Sequence, residues 1–399
     1  MSADATPVVL RLDVPGGPVR VEVFDTRPGV ADRLRDLWAH LLITQDDPRP
    51  DLATVEVPAR GEEDRTATGA VAYTLSGDVT REILSALLGR RVLLHSGVVR
   101  HPRLGTVLLI GPSGAGKSTA TSRLAREGRY VSDELAILDP DTFEIEAYAK
   151  PVSRVVREEG WEKHDLALAD LDLRLADEIG APSQVVLLSR RRDRNAPPRP
   201  GRPGSAALGG RPLPEDLPEE DTVRRVPLVQ ALPRIIEQSS SAWRVPDPLG
   251  TLCRLLQSVG GALEVVYSES EHLSRLLEQA PAPLVEEVEL VDGQSAEDLP
   301  PLAAGPAEGE RLLHICPFTQ ALFVEDALLV LARGKVSTVT GLGAALWSLL
   351  QESGPATEDQ LDARLVAQIG AHPRSREFVD SAVADLLAAG LVRSGLTGR

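Results

Sequence analysis

The clearest chemistry in this chain lies in eight consecutive residues, Gly111-Pro112-Ser113-Gly114-Ala115-Gly116-Lys117-Ser118. Their spacing, G-x-x-x-x-G-K-S, is that of a phosphate cradle between a strand and a helix. Glycines without a Cβ let successive backbone N–H groups curl around an anion at the positive end of the following helix. Gly111, Ser113, Gly114, Ala115, Gly116, Lys117, Ser118 and Thr119 are therefore the nucleotide-binding candidates. Lys117 would reach the β- and γ-phosphates of ATP, and the Ser118 hydroxyl would ligate Mg²⁺. The competing reading is a glycine-rich turn that binds nothing. Composition weighs against it: arginine outnumbers lysine 39 to 4, the lysines being Lys117, Lys150, Lys163 and Lys335. Where a planar fork is the default cation, a lysine marks a place that needs a compact point charge.

Downstream, Asp133-Glu134 interrupts the apolar run Tyr130–Leu138. Carboxylates at a strand end beside the cradle can hold Mg²⁺ or take a proton from an attacking hydroxyl. The alternative is a solvated turn. The metal candidates are Ser118, Asp133 and Glu134, and the catalytic candidates are Asp133, Lys117 and His95. On chemistry alone an isolated histidine such as His95 reads as structural.

Elements must position these groups. Val8–Val23 alternates around Pro15-Gly16-Gly17 and predicts a hairpin; a helix follows over Val30–Leu42. Thr74–Asp78 leads into a helical stripe over Val79–Leu88, with Gly89 as the stop. Val92–Leu94 and Thr106–Ile110 read as buried strands, and Ser118–Glu127 as the helix after the loop. Residues 195–221 turn to Pro, Gly and acid, the composition of a mobile loop. Helical patterns resume at Leu228–Ser239, Pro248–Val259 and Glu269–Gln279, and Pro281–Glu310 reads as a break before a C-terminal domain.

The formal charge of −16 opposes nucleic-acid phosphates and anionic membranes, so a phosphate site must be local. Thirteen aromatic residues are too few for a base-stacking platform. Cys253 and Cys316 give neither a disulfide framework nor a zinc set, and no apolar run reaches bilayer length. A cytoplasmic protein is expected, with no nucleic-acid or membrane partner.

Taken together, His95, Gly111–Ser118 and Val131-Ser132-Asp133-Glu134 resemble the bacterial HPr serine kinase/phosphorylase family, which shares its core with ATP-dependent phosphoenolpyruvate carboxykinases. That family's last element is V-A-D-D; here it is V-S-D-E. The resemblance implies that Asp133 is the catalytic base, with Glu134 in place of a second aspartate, and that His95 lies near the phosphates. Thr74–Val98 and Tyr148–Ser153 are more similar to the divergent kinase-related proteins of peptide-modification clusters, which extends the likeness over roughly residues 1–280. There Lys150 supports the nucleotide or the phosphoacceptor, unless it is a surface lysine. The family's glutamate-arginine-glycine signature is absent; Arg157–Gly160 is a faint echo, which leaves a second metal-binding acid without a counterpart.

From Ala321 the pattern is three strands (Ala321–Glu325, Ala327–Ala332, Val336–Thr340), three helices (Gly343–Gln351, Thr357–Ile369, Ser375–Ala389) and a closing Leu391-Val392. It resembles PqqD-like winged-helix domains, which bind leader segments of ribosomally made, modified peptides (RiPPs). That implies strand addition beside the third strand, with a groove at Val336, Thr338 and Thr340 facing Phe378, Ala382 and Leu386. DNA binding is disfavoured by 8 Lys+Arg against 11 Asp+Glu in residues 301–399.

The expected fold class is α/β: an N-terminal α+β lobe (1–90), a P-loop HPr-kinase-like domain (91–282), a linker (283–312) and a PqqD-like winged-helix domain (313–399). Two functions stand. One is a Mg-ATP-dependent kinase of a precursor-peptide Ser/Thr hydroxyl. The other is an inert nucleotide-binding scaffold that delivers the peptide to other tailoring enzymes.

Overall fold

In the computed structural model, β1 (Val8–Val14) and β2 (Gly17–Val23) pair with Val14 opposite Gly17, so Pro15-Gly16 forms the tip of the predicted hairpin. The structure describes residues 6–60, 63–64, 66–156, 162–191, 218, 220–299 and 311–395, and is mixed α/β throughout. Helix α1 (Val30–Leu37) is shorter than expected, because Trp38 leaves helical geometry and a single tighter turn, Ala39–Leu41, follows. Strand β3 (Ala53–Val57) runs parallel to β2. Helix α2 (Thr68–Leu87) is longer than expected and contains the Thr74–Asp78 stretch read as its lead-in. The buried stripe Val71, Leu75, Val79, Ile83, Leu87 carries the helix through Gly77. That burial outweighs the ~1 kcal/mol cost of an interior glycine.

Next come β4 (Val92–Leu94), β5 (Ser96–His101), β6 (Gly105–Ile110), α3 (Lys117–Glu127), β7 (Arg129–Ser132), β8 (Ala136–Leu138) and β9 (Ile145–Glu146). They are followed by β10 (Val152–Val156), β11 (Glu162–Leu166), β12 (Gln184–Arg190), β13 (Thr222–Val226), α4 (Leu228–Glu237), α5 (Pro248–Ser258), β14 (Ala262–Tyr267) and α6 (Leu273–Glu278). The central sheet has the order β13-β14-β12-β6-β5-β7. Strands β6, β12 and β14 are mutually parallel; β5 is antiparallel to β6 and to β7, so β7 runs with β6. Val107–Ile110, Val185–Leu188 and Ala262–Val266 are near-continuous apolar runs because both faces of these strands are covered.

The remaining elements are β15 (Val288–Gln294), β16 (Leu312–Ile315), β17 (Phe318–Val324), β18 (Ala327–Ala332), β19 (Lys335–Thr340), α7 (Leu342–Ser353), α8 (Glu358–Ile369), α9 (Ser375–Ala388) and β20 (Val392–Gly395). The sequence places strands at β17, β18 and β19, and the three helices, within a few residues of these positions. Their sheet has the order β15-β17-β18-β19, and β16 pairs with β20. Two features differ from expectation. Residues 283–312, read as a linker, contain β15 paired to β17. The chain also divides into two compact units that are not contiguous: Met1–Val226, Glu237–Pro246 and Ser258–Pro283 form one, and Pro227–Ile236, Asp247–Gln257 and Leu284–Arg399 the other. Helices α4 and α5, expected in the first, belong to the second. Leu249 N donates to Gln320 Oε1 at 2.7 Å, and Leu228 N to Glu286 Oε2 at 2.8 Å. An apolar helix face does not record which sheet buries it.

Among the described residues no helix is long and apolar enough to cross a membrane. Most of the 195–221 loop, and the 157–160 segment, lie outside the described residues.

Candidate functional site

Strand directions bring the candidates to one sheet edge. Gly111 follows the last residue of β6, Asp133 follows the last residue of β7, and His95 precedes the first residue of β5. Ser96 pairs with Ile110 and Val98 with Ser132, so three segments far apart in sequence converge there.

The loop then turns into α3. Gly114 and Gly116 adopt φ of 87° and 89°, a region costly to residues with a Cβ. Gly116 is the N-cap of α3 and supplies no side-chain cap, which leaves the first-turn N–H groups aimed at the loop. Lys117 Nζ folds back onto Gly111 O at 2.5 Å. Burial, and then the charge of Lys163, pull its ammonium down to about 8. Ser118 is half-buried, whereas Ser113 and Thr119 are exposed.

Beside the loop, Asp133 is buried and accepts from Tyr130 Oη at 3.1 Å. Burial raises its carboxyl above the usual range, although the charge of Lys150 opposes this. Glu134 is held below its ordinary value: burial pushes it up, but Lys150, with its Nζ 2.9 Å from Oε2, outweighs burial. Lys150 Nζ is also 3.9 Å from Asp133 Oδ1 and donates to Ser153 Oγ at 3.0 Å and Pro151 O at 3.2 Å. Burial lowers the Lys150 ammonium, but Asp133, Glu134 and Asp165 more than reverse it and keep the lysine charged. The chain of contacts goes on: Ser153 Oγ donates to Asp165 Oδ1 at 2.6 Å, and Ser76 of α2 donates to Asp165 Oδ2. His95, whose N donates to Gln238 O at 2.7 Å, is pushed down to about 4 by burial and then by Lys117.

Asp133, Glu134, Lys117 and His95 thus share one site. Lys150 is there too, but not as a surface lysine and not with a donor left for a nucleotide. Its three N–H groups are taken by Glu134, Ser153 and Pro151, so it acts as counter-ion to the acidic pair. Sequence reasoning missed Asp165, Tyr130, Ser153 and Lys163. The lysine scarcity was a signal for Lys163, since three of the four lysines gather here.

The donor set fits Mg²⁺ in one way. Among the described residues no three His, Cys, Asp or Glu side chains form a metal-holding group. Ser118 with one or two carboxylates suits an ion that takes its remaining ligands from phosphates and water.

In the second unit, β19 ends its sheet, and among the described residues no strand pairs with its outer edge. Thr338 and Thr340 are exposed there. The expected groove needs correcting. Val339, opposite Leu328, packs against the core cluster that holds Leu328, Leu386 and Trp347, on the helix side. Thr338 lies opposite Leu329, which is buried outside that cluster. Val336, Thr338 and Thr340 therefore face away from α9, because a strand alternates faces with every residue. Of the three helix residues, Phe378 is exposed beside His372 and Arg374, Ala382 is half-buried, and Leu386 is buried. A cavity of about 360 Å³ opens near the end of β19, between Phe323, Glu325, Asp326, Gly341, Ala345 and Glu352.

No protein-family model matches the chain, and no curated protein matches it.

Proposed function

We propose that the chain is a Mg-ATP-dependent kinase that phosphorylates a Ser or Thr hydroxyl of a ribosomally made precursor peptide, with its first unit as a P-loop kinase core and its second as a PqqD-like recognition domain. One observation carries the chemistry: a cradle with an uncapped helix N-terminus and a lysine parked on its own loop shares a sheet edge with a buried carboxylate of raised pKa. Such a carboxylate is a better proton acceptor than an exposed one. Asp133 takes the proton of the acceptor hydroxyl as that oxygen bonds the γ-phosphorus; the bond to the β–γ bridging oxygen breaks, and its electron pair leaves with ADP. Lys117 exchanges its Gly111 carbonyl contact for phosphate oxygens, and the loop N–H groups hold the charge that develops. Lys150 keeps Glu134 ionised and Asp133 in place. Ser118 with Asp133 or Glu134 would hold Mg²⁺, which would supply neutralisation of phosphate charge. His95, neutral at physiological pH, offers a hydrogen bond without a competing charge.

The free edge of β19 supports peptide capture by strand addition, in which main-chain groups give affinity. The scaffold reading keeps one observation in its favour, the direct Lys150–Glu134 ion pair, which occupies an acid that a metal would otherwise use. Radiolabelled ATP with a candidate leader-bearing peptide that carries Ser and Thr separates the two. Phosphopeptide formed by the wild type and lost in Asp133→Asn supports the kinase; ATP binding without phosphopeptide supports the scaffold.

A further inference from the structure

The loop has a second flank that the reaction above leaves unused. Strands β5 and β7, with His95 and Asp133, lie to one side of β6, and β12 and β14 lie to the other. Both of the latter end beside the loop. Tyr267, the last residue of β14, donates from its hydroxyl to Ala115 O at 2.9 Å. Arg190, the last residue of β12, lays its side chain on the N-cap of α3. A Cβ at Gly116 would stand 3.3 Å from Arg190 Cδ and 2.6 Å from Tyr267 Oη, so glycine is required there for this close approach as well as for its φ.

The two arginines at this strand end differ. Arg191 is paired with Asp221. Arg190, turned to the opposite face by strand alternation, donates from Nε to Ser268 O at 3.4 Å, and no described carboxylate pairs with it. A half-buried guanidinium against the loop, in a chain of charge −16, with no acid of its own among the described residues, is suited to an anion. Its planar fork matches two oxygens of a phosphate.

We infer that Arg190 is a phosphate ligand of this loop, which engages the non-transferred phosphates of the nucleotide from the β12 flank while Lys117 serves the transferred one on the β5–β7 flank. The inference rests on the nucleotide reading of the loop. Its logic is positional: the reacting end must lie beside Asp133, so the rest of the phosphate chain leaves toward β12. ATP and ADP share those phosphates, so loss of Arg190 weakens both by the same factor.

The test is calorimetric titration of the full-length protein with Mg-ATP, Mg-ADP and pyrophosphate, for the wild type, Arg190→Gln and Arg190→Lys. Arg190→Gln is expected to weaken ATP and ADP equally, by roughly tenfold or more, the scale of a charged hydrogen bond. Arg190→Lys, which keeps charge and length and guards against a folding defect in the first variant, is expected to recover only part of the loss. Wild-type affinity for ATP and ADP in both variants overturns the inference and leaves the nucleotide reading intact. If the wild type binds pyrophosphate but not ATP, the nucleotide reading fails alone, and an equal pyrophosphate affinity in Arg190→Gln then overturns the role of Arg190. Wild-type protein that binds none of the three overturns both.

Discussion

At the edge of the central sheet the groups proposed to work are side chains, and burial fixes them; at β19 they are main-chain groups of an exposed edge strand. Lys150, Asp133 and Asp165 are each at most 4% exposed and are joined through Ser153 and Glu134. Thr338 and Thr340 stand in solvent. A site that breaks bonds needs charges held at fixed separations in a weakly screened interior. A site that recognises an extended chain needs only an unpaired row of N–H and C=O groups. The first should therefore respond to single-atom changes and the second mainly to changes in backbone.

The largest expected effect is on the buried edge. Asp133→Asn keeps the shape and removes the base, so phosphotransfer should fall by about two to four orders of magnitude while calorimetric ATP affinity is retained. Wild-type turnover in this variant would place the proton acceptor elsewhere. Lys150→Met strands the buried carboxylates, and a loss of about 3–5 kcal/mol is expected in denaturant unfolding; a change under 1 kcal/mol would mean that the network is solvated. Lys117→Ala should weaken Mg-ATP roughly tenfold or more and leave the fold intact, and unchanged affinity would refute the cradle.

Smaller effects are expected at β19. Successive residues of an edge strand point their N–H groups alternately inward and outward. Of Ser337→Pro and Thr338→Pro, one should then lose peptide binding with stability kept, and the other should lose a ladder bond to β18 and be destabilised. Thr338→Ala should change peptide affinity by less than about twofold, since the side chain stands in solvent. The smallest effect is that of salt: leader binding should hold between low and moderate ionic strength, whereas binding to a polyanion such as duplex DNA would collapse. Salt-sensitive DNA binding without peptide binding would remove the recognition half of the proposal.

What was legible in the sequence was contiguous or periodic. The cradle lies within eight residues, and its strand and helix flank it directly. Strands β17, β18 and β19 announce themselves by composition and by Arg333-Gly334 between the last two. Arg190, Tyr267 and Asp165 were not legible, because only the strand order β14-β12-β6 brings the first two to the loop and only the β10–β11 pairing sets Asp165 beside Ser153. The groove residues at β19 failed by one position: the period is two, so the choice between Thr338 and Val339 is the choice of face, and both residues are β-formers. Gly77 misled for a related reason, since a local turn signal was outweighed by a buried stripe that extends beyond it.

The interleaved chain path has a consequence for synthesis. Helices α4 and α5 leave the ribosome well before the sheet that receives them, since some eighty residues separate Ser258 from the end of β19. At ordinary elongation rates that is a delay on the order of 4–16 s. Meanwhile β14, which belongs between β12 and β13, follows those helices off the ribosome. For that interval the nascent protein carries two apolar helices with no final partner. A chaperone that binds short apolar segments should be recovered on stalled chains ending near residue 300, and released from chains long enough to expose β19.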